Sequence, residues 1–124
     1  MKVIISIAAL SALTAVILGA LAAHGLKGTL SPTSLASFKT AVNYQMYHSL
    51  ALLLVAALPQ LKRNLATLAA WSFILGIVMF SGSIYLLTLA QLSWLGPITP
   101  IGGVTLMIGW GLVLTAAVKG DADG

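Results

Sequence analysis

From Val3 to Ala23 the chain carries only apolar and small side chains. At a helical rise of about 1.5 Å per residue this run crosses the ~30 Å hydrocarbon core of a bilayer. Ser11, Ala15, Gly19 and Ala23 recur every fourth position along it, a small-residue face suited to close helix packing. A cleaved signal peptide is the competing reading, with Lys2 as its basic start and Ala20-Leu21-Ala22 as its cleavage site. The length of the run and its packing face favour a retained helix. The break from His24 to Ser31 contains Gly25 and Gly28 and ends in Ser31-Pro32, an N-cap followed by proline in the first turn. A second helix is therefore expected over 32–58, with amphipathic opening turns (Ser34, Ser37, Lys39) from which Lys39 snorkels to the headgroups. A turn at Pro59 to Asn64 leads to a third helix over 65–92, and a turn at Ser93 to Pro97 to a fourth over 98–118. The pattern predicts an all-α membrane protein: a four-transmembrane-helix bundle with helices at about 3–23, 32–58, 65–92 and 98–118, forming one integral membrane domain over 1–124.

Composition agrees with that pattern. Hydrophobic residues make up 60% of the chain and charged residues 6%, against roughly 25% charged in soluble domains, so there is too little polar surface to face water. The basic residues set an orientation. Lys2, Lys62, Arg63 and Lys119 fall on one side of the expected bundle and Lys27 and Lys39 on the other, so the positive-inside rule places both termini in the cytoplasm. The compact chain suits a bacterial cytoplasmic (inner) membrane. Basic residues stand singly or as one pair, which leaves nucleic-acid binding without a footprint. No cysteine is present, so thiolate chemistry and disulfides are excluded.

Packing is expected to rest on small residues, since lipid removes most of the hydrophobic drive for helix association. Ala69, Ser72, Gly76 and Ser83 form one stripe in the third helix, and Gly102, Gly109 and Ala116 repeat every seventh residue in the fourth; such spacing suits a left-handed bundle. There is no internal repeat of the kind that marks inverted-repeat transporters. Trp71 and Trp94 read as interfacial anchors, and Trp110, between Gly109 and Gly111, as filling space that those glycines open.

The second helix is where chemistry is suspected. It holds Asn43, Tyr44, Gln45, Tyr47 and His48 where hydrocarbon is expected, and a polar group kept in lipid without a partner costs several kcal/mol. At 100° per residue Ser37, Ala41, Tyr44, Gln45, His48 and Leu52 share one face and Thr40, Asn43 and Tyr47 another, so two polar faces imply two neighbours. The simplest partner for His48 is Ser81, Ser83 or Tyr85 on the third helix; a proton-responsive switch or a ligand or ion site are the functional readings. The candidate polar core is Tyr44, Gln45, His48, Ser81, Ser83 and Tyr85, with His24, Asn43, Tyr47 and Thr99 as secondary candidates. His24 sits where the first helix leaves the membrane, in a solvated capping position. A haem or metal held between His24 and His48 needs both at one depth and further ligands that the sequence lacks, so no cofactor or metal is expected. Thr99 to Gly103 open the fourth helix; a free helix N-terminus there receives an anion or lipid phosphate, or the segment is a tight turn built for close packing.

Catalysis has little to work with. Besides the chain terminus the only carboxylates are Asp121 and Asp123 in the tail, expected to be solvated, and no nucleophile elbow, phosphate loop or zinc-protease motif is present. The leading expectation is a non-enzymatic integral membrane protein binding a lipid, a small hydrophobic ligand or a partner helix through Tyr44, Gln45 and His48. The alternatives are an oligomeric channel or small transporter using the polar second helix, and a membrane assembly factor. The expected partners are membrane lipids, with a homo-oligomer or a partner membrane protein possible and no nucleic acid.

Four patches also carry a resemblance. Ala23-His24-Gly25-Leu26, the stretch from Phe38 to His48, Phe80-Ser81-Gly82-Ser83-Ile84-Tyr85, and Gly96 to Gly103 with Gly109-Trp110 resemble, in order and over nearly the whole chain, the small membrane-protein family called domain of unknown function 423, which includes transmembrane protein 256. Leu21-Ala22 departs from the family pattern, which often has an aromatic residue and a glycine before Ala23-His24. The resemblance implies an uncleaved four-helix membrane protein and brings no established activity or cofactor.

Overall fold

A computed structural model of the chain describes residues 1–120; Asp121 and Asp123 lie outside the described residues. Four long helices, and no strand among the described residues, make up the fold. Helix α1 (Lys2–Ala20) runs on into one wider turn, Leu21–Gly25, in which the Leu26 amide reaches back five residues to the Leu21 carbonyl at 2.9 Å. Gly28 then turns the chain at φ 81°, a conformation open to glycine. Helix α2 (Pro32–Ala57) starts where the Ser31 hydroxyl accepts the Ser34 amide at 3.1 Å. It stops before Pro59, which holds Leu58 in an extended conformation.

Helix α3 (Arg63–Leu89) begins two residues before and ends three residues before the expected 65–92. At its start Arg63 faces back toward the end of α2 and donates to Leu58 O (2.6 Å) and Val55 O (3.3 Å), which gives those terminal carbonyls a partner. At its far end Gln91 adopts φ 55°, which no helix continues. Helix α4 (Ile98–Val118) follows a short turn at Ser93–Leu95.

Each helix packs chiefly on its neighbour in the chain, most extensively α4 on α3. Gly102, Gly109 and Ala116 are buried in that contact. A Cβ at Gly102 would run into the backbone of Met79 and Phe80, and one at Gly109 would stand 2.6 Å from the Phe73 ring. Phe73, rather than Trp110, thus fills the space beside Gly109. The Ser72 hydroxyl donates to Thr105 O at 2.7 Å across the same seam. One apolar cluster, including Ile4, Leu52, Val55, Phe73 and Leu106, joins all four helices toward the end where α1 begins; a smaller one, Ala22, Leu26, Phe38 and Val42, lies toward the opposite end.

Three segments, Lys2–Gly25, Arg63–Leu89 and Ser93–Val118, are long and apolar enough to cross a membrane. Helix α2 is as long but not as apolar, because of the polar residues in its middle. How those side chains are partnered therefore decides what α2 does.

Candidate functional site

Two separate polar centres sit on α2. The first is Gln45, buried between α1, α2 and α3. Its amide nitrogen donates to Ser11 O at 2.8 Å and Thr14 Oγ1 at 2.9 Å, and its amide oxygen accepts the Tyr85 hydroxyl at 2.6 Å. The Ser11 carbonyl accepts only, so the amide has one possible orientation. One turn on, the Ser49 hydroxyl donates to Gln45 O at 2.6 Å and is hydrogen-bonded to Ser11 Oγ at 2.7 Å. Both amide hydrogens are donated and the amide oxygen accepts from Tyr85, which makes Gln45 a three-helix fastening.

The second centre is His48, 5% exposed. Its Nδ1 lies 2.7 Å from Tyr44 O, and the Trp110 indole N–H donates to its Nε2 at 3.0 Å. A carbonyl only accepts and an indole N–H only donates, so these two partners fit one state: neutral imidazole with its proton on Nδ1. Ser81, Ser83 and Tyr85, the partners that the sequence pattern suggests for His48, lie elsewhere. Ser81 donates to Ala41 O at 2.7 Å, Ser83 is bonded to Thr99 Oγ1 at 2.5 Å, and Tyr85 serves Gln45.

Aromatic rings surround the imidazole. Phe73 lies 5.5 Å and Trp110 5.8 Å from it, centroid to centroid, and Tyr44 5.9 Å; Tyr44 in turn stacks at a tilt on Phe80 at 4.9 Å and on Tyr47 at 6.0 Å. Tyr44, Tyr47 and His48 of α2, Phe80 of α3, and Met107 and Trp110 of α4 line an open groove of about 500 Å³. With both ring nitrogens of His48 and the Trp110 N–H engaged, the side-chain polar atoms left free in the groove are the Tyr44 and Tyr47 hydroxyls, for which no hydrogen bond is present among the described residues. The wall is uncharged, so what fits chemically is a neutral apolar body with a group that pairs with a phenol.

Of the secondary candidates, Tyr47 lines this groove, Thr99 ties α4 to α3 through Ser83, and Asn43 and His24 are exposed at other places on the surface. Trp110, Phe73 and Phe80 escaped sequence reasoning as members of the site, as did Ser11, Thr14 and Ser49 around Gln45. The spacing Ser11–Thr14 and Gln45–Ser49, single turns on facing helices, was the available signal for the second group.

Residues 18–103 match the family described as "Protein of unknown function (DUF423)". UPF0382 membrane protein YwdK of Bacillus subtilis (strain 168) is 47% identical over 121 residues, covering 96% of this chain and 98% of that protein. UPF0382 membrane protein SERP0230 of Staphylococcus epidermidis is 45% identical over 119 residues, covering 96% and 98%, and SSP2132 of Staphylococcus saprophyticus is 42% identical over 119 residues, covering 96% and 99%. No solved structure matches the chain. With most of its length matched by the family and by relatives named as membrane proteins, the chain belongs to the DUF423 (UPF0382) family of membrane proteins.

Proposed function

We propose that the protein crosses a bacterial cytoplasmic membrane four times with both ends inside, and that it holds a small membrane-dissolved ligand in the groove between α2 and α4. What supports α2 as the fourth span is its length, 26 residues or about 39 Å at helical rise, together with the partners that α1, α3 and α4 supply for Gln45 and His48. What supports the orientation is that Lys62, Arg63 and Lys119 line one hollow at the ends of α2 and α4, on the same side as the start of α1. A reporter fused after Lys119 is expected to be active in the cytoplasm.

The observation that carries the ligand reading is the pair of free tyrosine hydroxyls in an aromatic groove. Tyr44 and Tyr47 set their hydroxyls against an aromatic, uncharged wall, where the described residues supply no hydrogen-bond partner and an unmatched hydroxyl costs free energy. A neutral ligand with a carbonyl or ether oxygen on an apolar body supplies that partner. No catalytic step is part of the proposal. Native mass spectrometry of protein released from gently extracted membranes is expected to retain a small apolar mass, lost when Tyr44 and Tyr47 are both replaced by Phe. With Trp71 and Trp94 replaced by Phe, emission from Trp110 is expected to respond when the ligand is stripped and returned. Bare protein, together with Trp110 emission that no membrane extract alters, would overturn the reading.

A further inference from the structure

The end of the bundle where α2 and α4 stop and α3 starts concentrates charge that the groove does not use. Lys62, Arg63 and Lys119 line a hollow of about 340 Å³ there, together with Pro59, Leu61 and Gly120. Backbone contacts build its walls: Leu61 is buried, the Lys62 amide donates to Ala116 O at 3.0 Å, and Arg63 donates to Leu58 O and Val55 O. Those bonds also take up carbonyls at the ends of α2 and α4 whose partial negative charge opposes an anion. No Asp or Glu occurs within residues 1–120, so the three cations have no carboxylate partner among the described residues. Arg63 bonds only neutral carbonyls, which leaves its charge uncompensated and its Nη1 without a partner among the described residues. Lys62 and Arg63 are also the N-cap and first residue of α3, which has no side-chain cap, so the positive end of that helix adds to the field.

We infer that this hollow binds the phosphate group of an anionic lipid. Charge selects the phosphate: three cations around one concavity attract an anion, and ammonium and guanidinium groups supply donors for its oxygens. Depth selects the lipid as its source. Arg63 opens, and Lys119 follows, two of the segments long and apolar enough to cross a membrane, Arg63–Leu89 and Ser93–Val118. The hollow therefore lies where those segments leave the hydrocarbon, level with the headgroups. Basic pockets between membrane helices on the cytoplasmic side bind anionic headgroups, and each basic side chain near such a surface adds to the attraction. Lys39 stands apart, in another hollow with Asn43. The inference rests on the membrane crossing proposed above, which the reporter fusion tests separately, and not on the groove at Tyr44 being filled.

The test uses the full chain in a charge-neutral detergent, titrated with dioleoyl phosphatidylglycerol or, as a control with the same tails, dioleoyl phosphatidylcholine, and read by native mass spectrometry. Phosphatidylglycerol is expected to bind more tightly. Lys62→Gln and Lys119→Gln are each expected to weaken it about 5-fold and together about 25-fold, the worth of basic side chains near an anionic surface, with phosphatidylcholine binding unmoved. Both lysines are exposed, and the bond from Lys62 to Ala116 is made by backbone, so these variants are expected to fold as the parent does. Lys27→Gln combined with Lys39→Gln removes the same charge away from the hollow and is expected to change neither affinity. Equal affinity of the parent for the two lipids, or an equal loss from the two double variants, would overturn the inference. So would inorganic phosphate that displaces phosphatidylglycerol at the lipid's own concentration, which would assign the hollow to a free anion. A preference for phosphatidylglycerol that emerges only after Asp121→Asn and Asp123→Asn would assign the hollow to the chain's own tail and overturn it as well.

Discussion

Replacing Gln45 by Leu tests how much of the bundle's stability rests on one buried amide. The change keeps the side chain's size and removes three hydrogen bonds, to Ser11 O, Thr14 Oγ1 and the Tyr85 hydroxyl. Interhelical bonds of this kind in membranes average ~0.6 kcal/mol with a maximum near ~1.7, so three give about 2 kcal/mol, with about 5 as the ceiling. Thr14 keeps its backbone partners Leu10 O and Ser11 O, whereas the Tyr85 hydroxyl is left facing leucine. A large share of the loss should therefore belong to the Gln45–Tyr85 pair. Unfolding in graded detergent–lipid mixtures, followed by circular dichroism, reads the stability. A double-mutant cycle of Gln45→Leu with Tyr85→Phe isolates the pair, with a coupling of about 0.6 to 1.7 kcal/mol expected. If Gln45→Leu lies within about 0.3 kcal/mol of the parent, or if the two changes add with no coupling, the three-helix fastening is wrong.

Two further outcomes follow from the geometry. Gly102→Val forces a side chain into the backbone of Met79 and Phe80, whereas a Cβ at the adjacent Gly103 meets nothing within 4 Å; in the same unfolding assay Gly102→Val is expected to cost at least about 1–3 kcal/mol and Gly103→Ala little. Trp110→Phe keeps a ring beside Phe73 and removes the donor to His48 Nε2, so nitrogen NMR of labelled histidine should show the single Nδ1–H form of the parent give way to a mixture. An unchanged tautomer would mean that the Tyr44 carbonyl alone sets it.

The sequence made the faces of α2 legible and left their neighbours undetermined. Ser31-Pro32 marks a helix start by local chemistry, and the structure shows the cap bond from Ser34. The period of 3.6 residues sets Ala41, Gln45, His48 and Leu52 on one side, and all four are buried. Which residue of α3 stands level with each depends on the register set by the turn between Leu58 and Arg63, which periodicity does not encode. In that register Ser81 meets Ala41, and Phe73 stands against His48, about 10 Å further along α2. His48 is therefore out of reach of the hydroxyls expected to bond it. The role of Trp110 was hidden for a related reason. Its indole points across α3 to a helix that is not its neighbour in the chain, a contact no local pattern marks. Tyr44, assigned by spacing to the buried face, lies at its edge and opens into the groove.

Because each helix lies chiefly against the one next to it in sequence, assembly needs mostly short loop closures, which cost little chain entropy. A chain that assembles helix by helix can join α1 to α2 through Ser11, Gln45 and Ser49, and then add α3 through Tyr85 and Ser81. The bond from Trp110 to His48 links residues 62 positions apart and forms only when α4 has arrived. Until then one edge of the imidazole has no partner, so the docking of α4 and the satisfaction of the most buried heterocycle among the described residues are a single event.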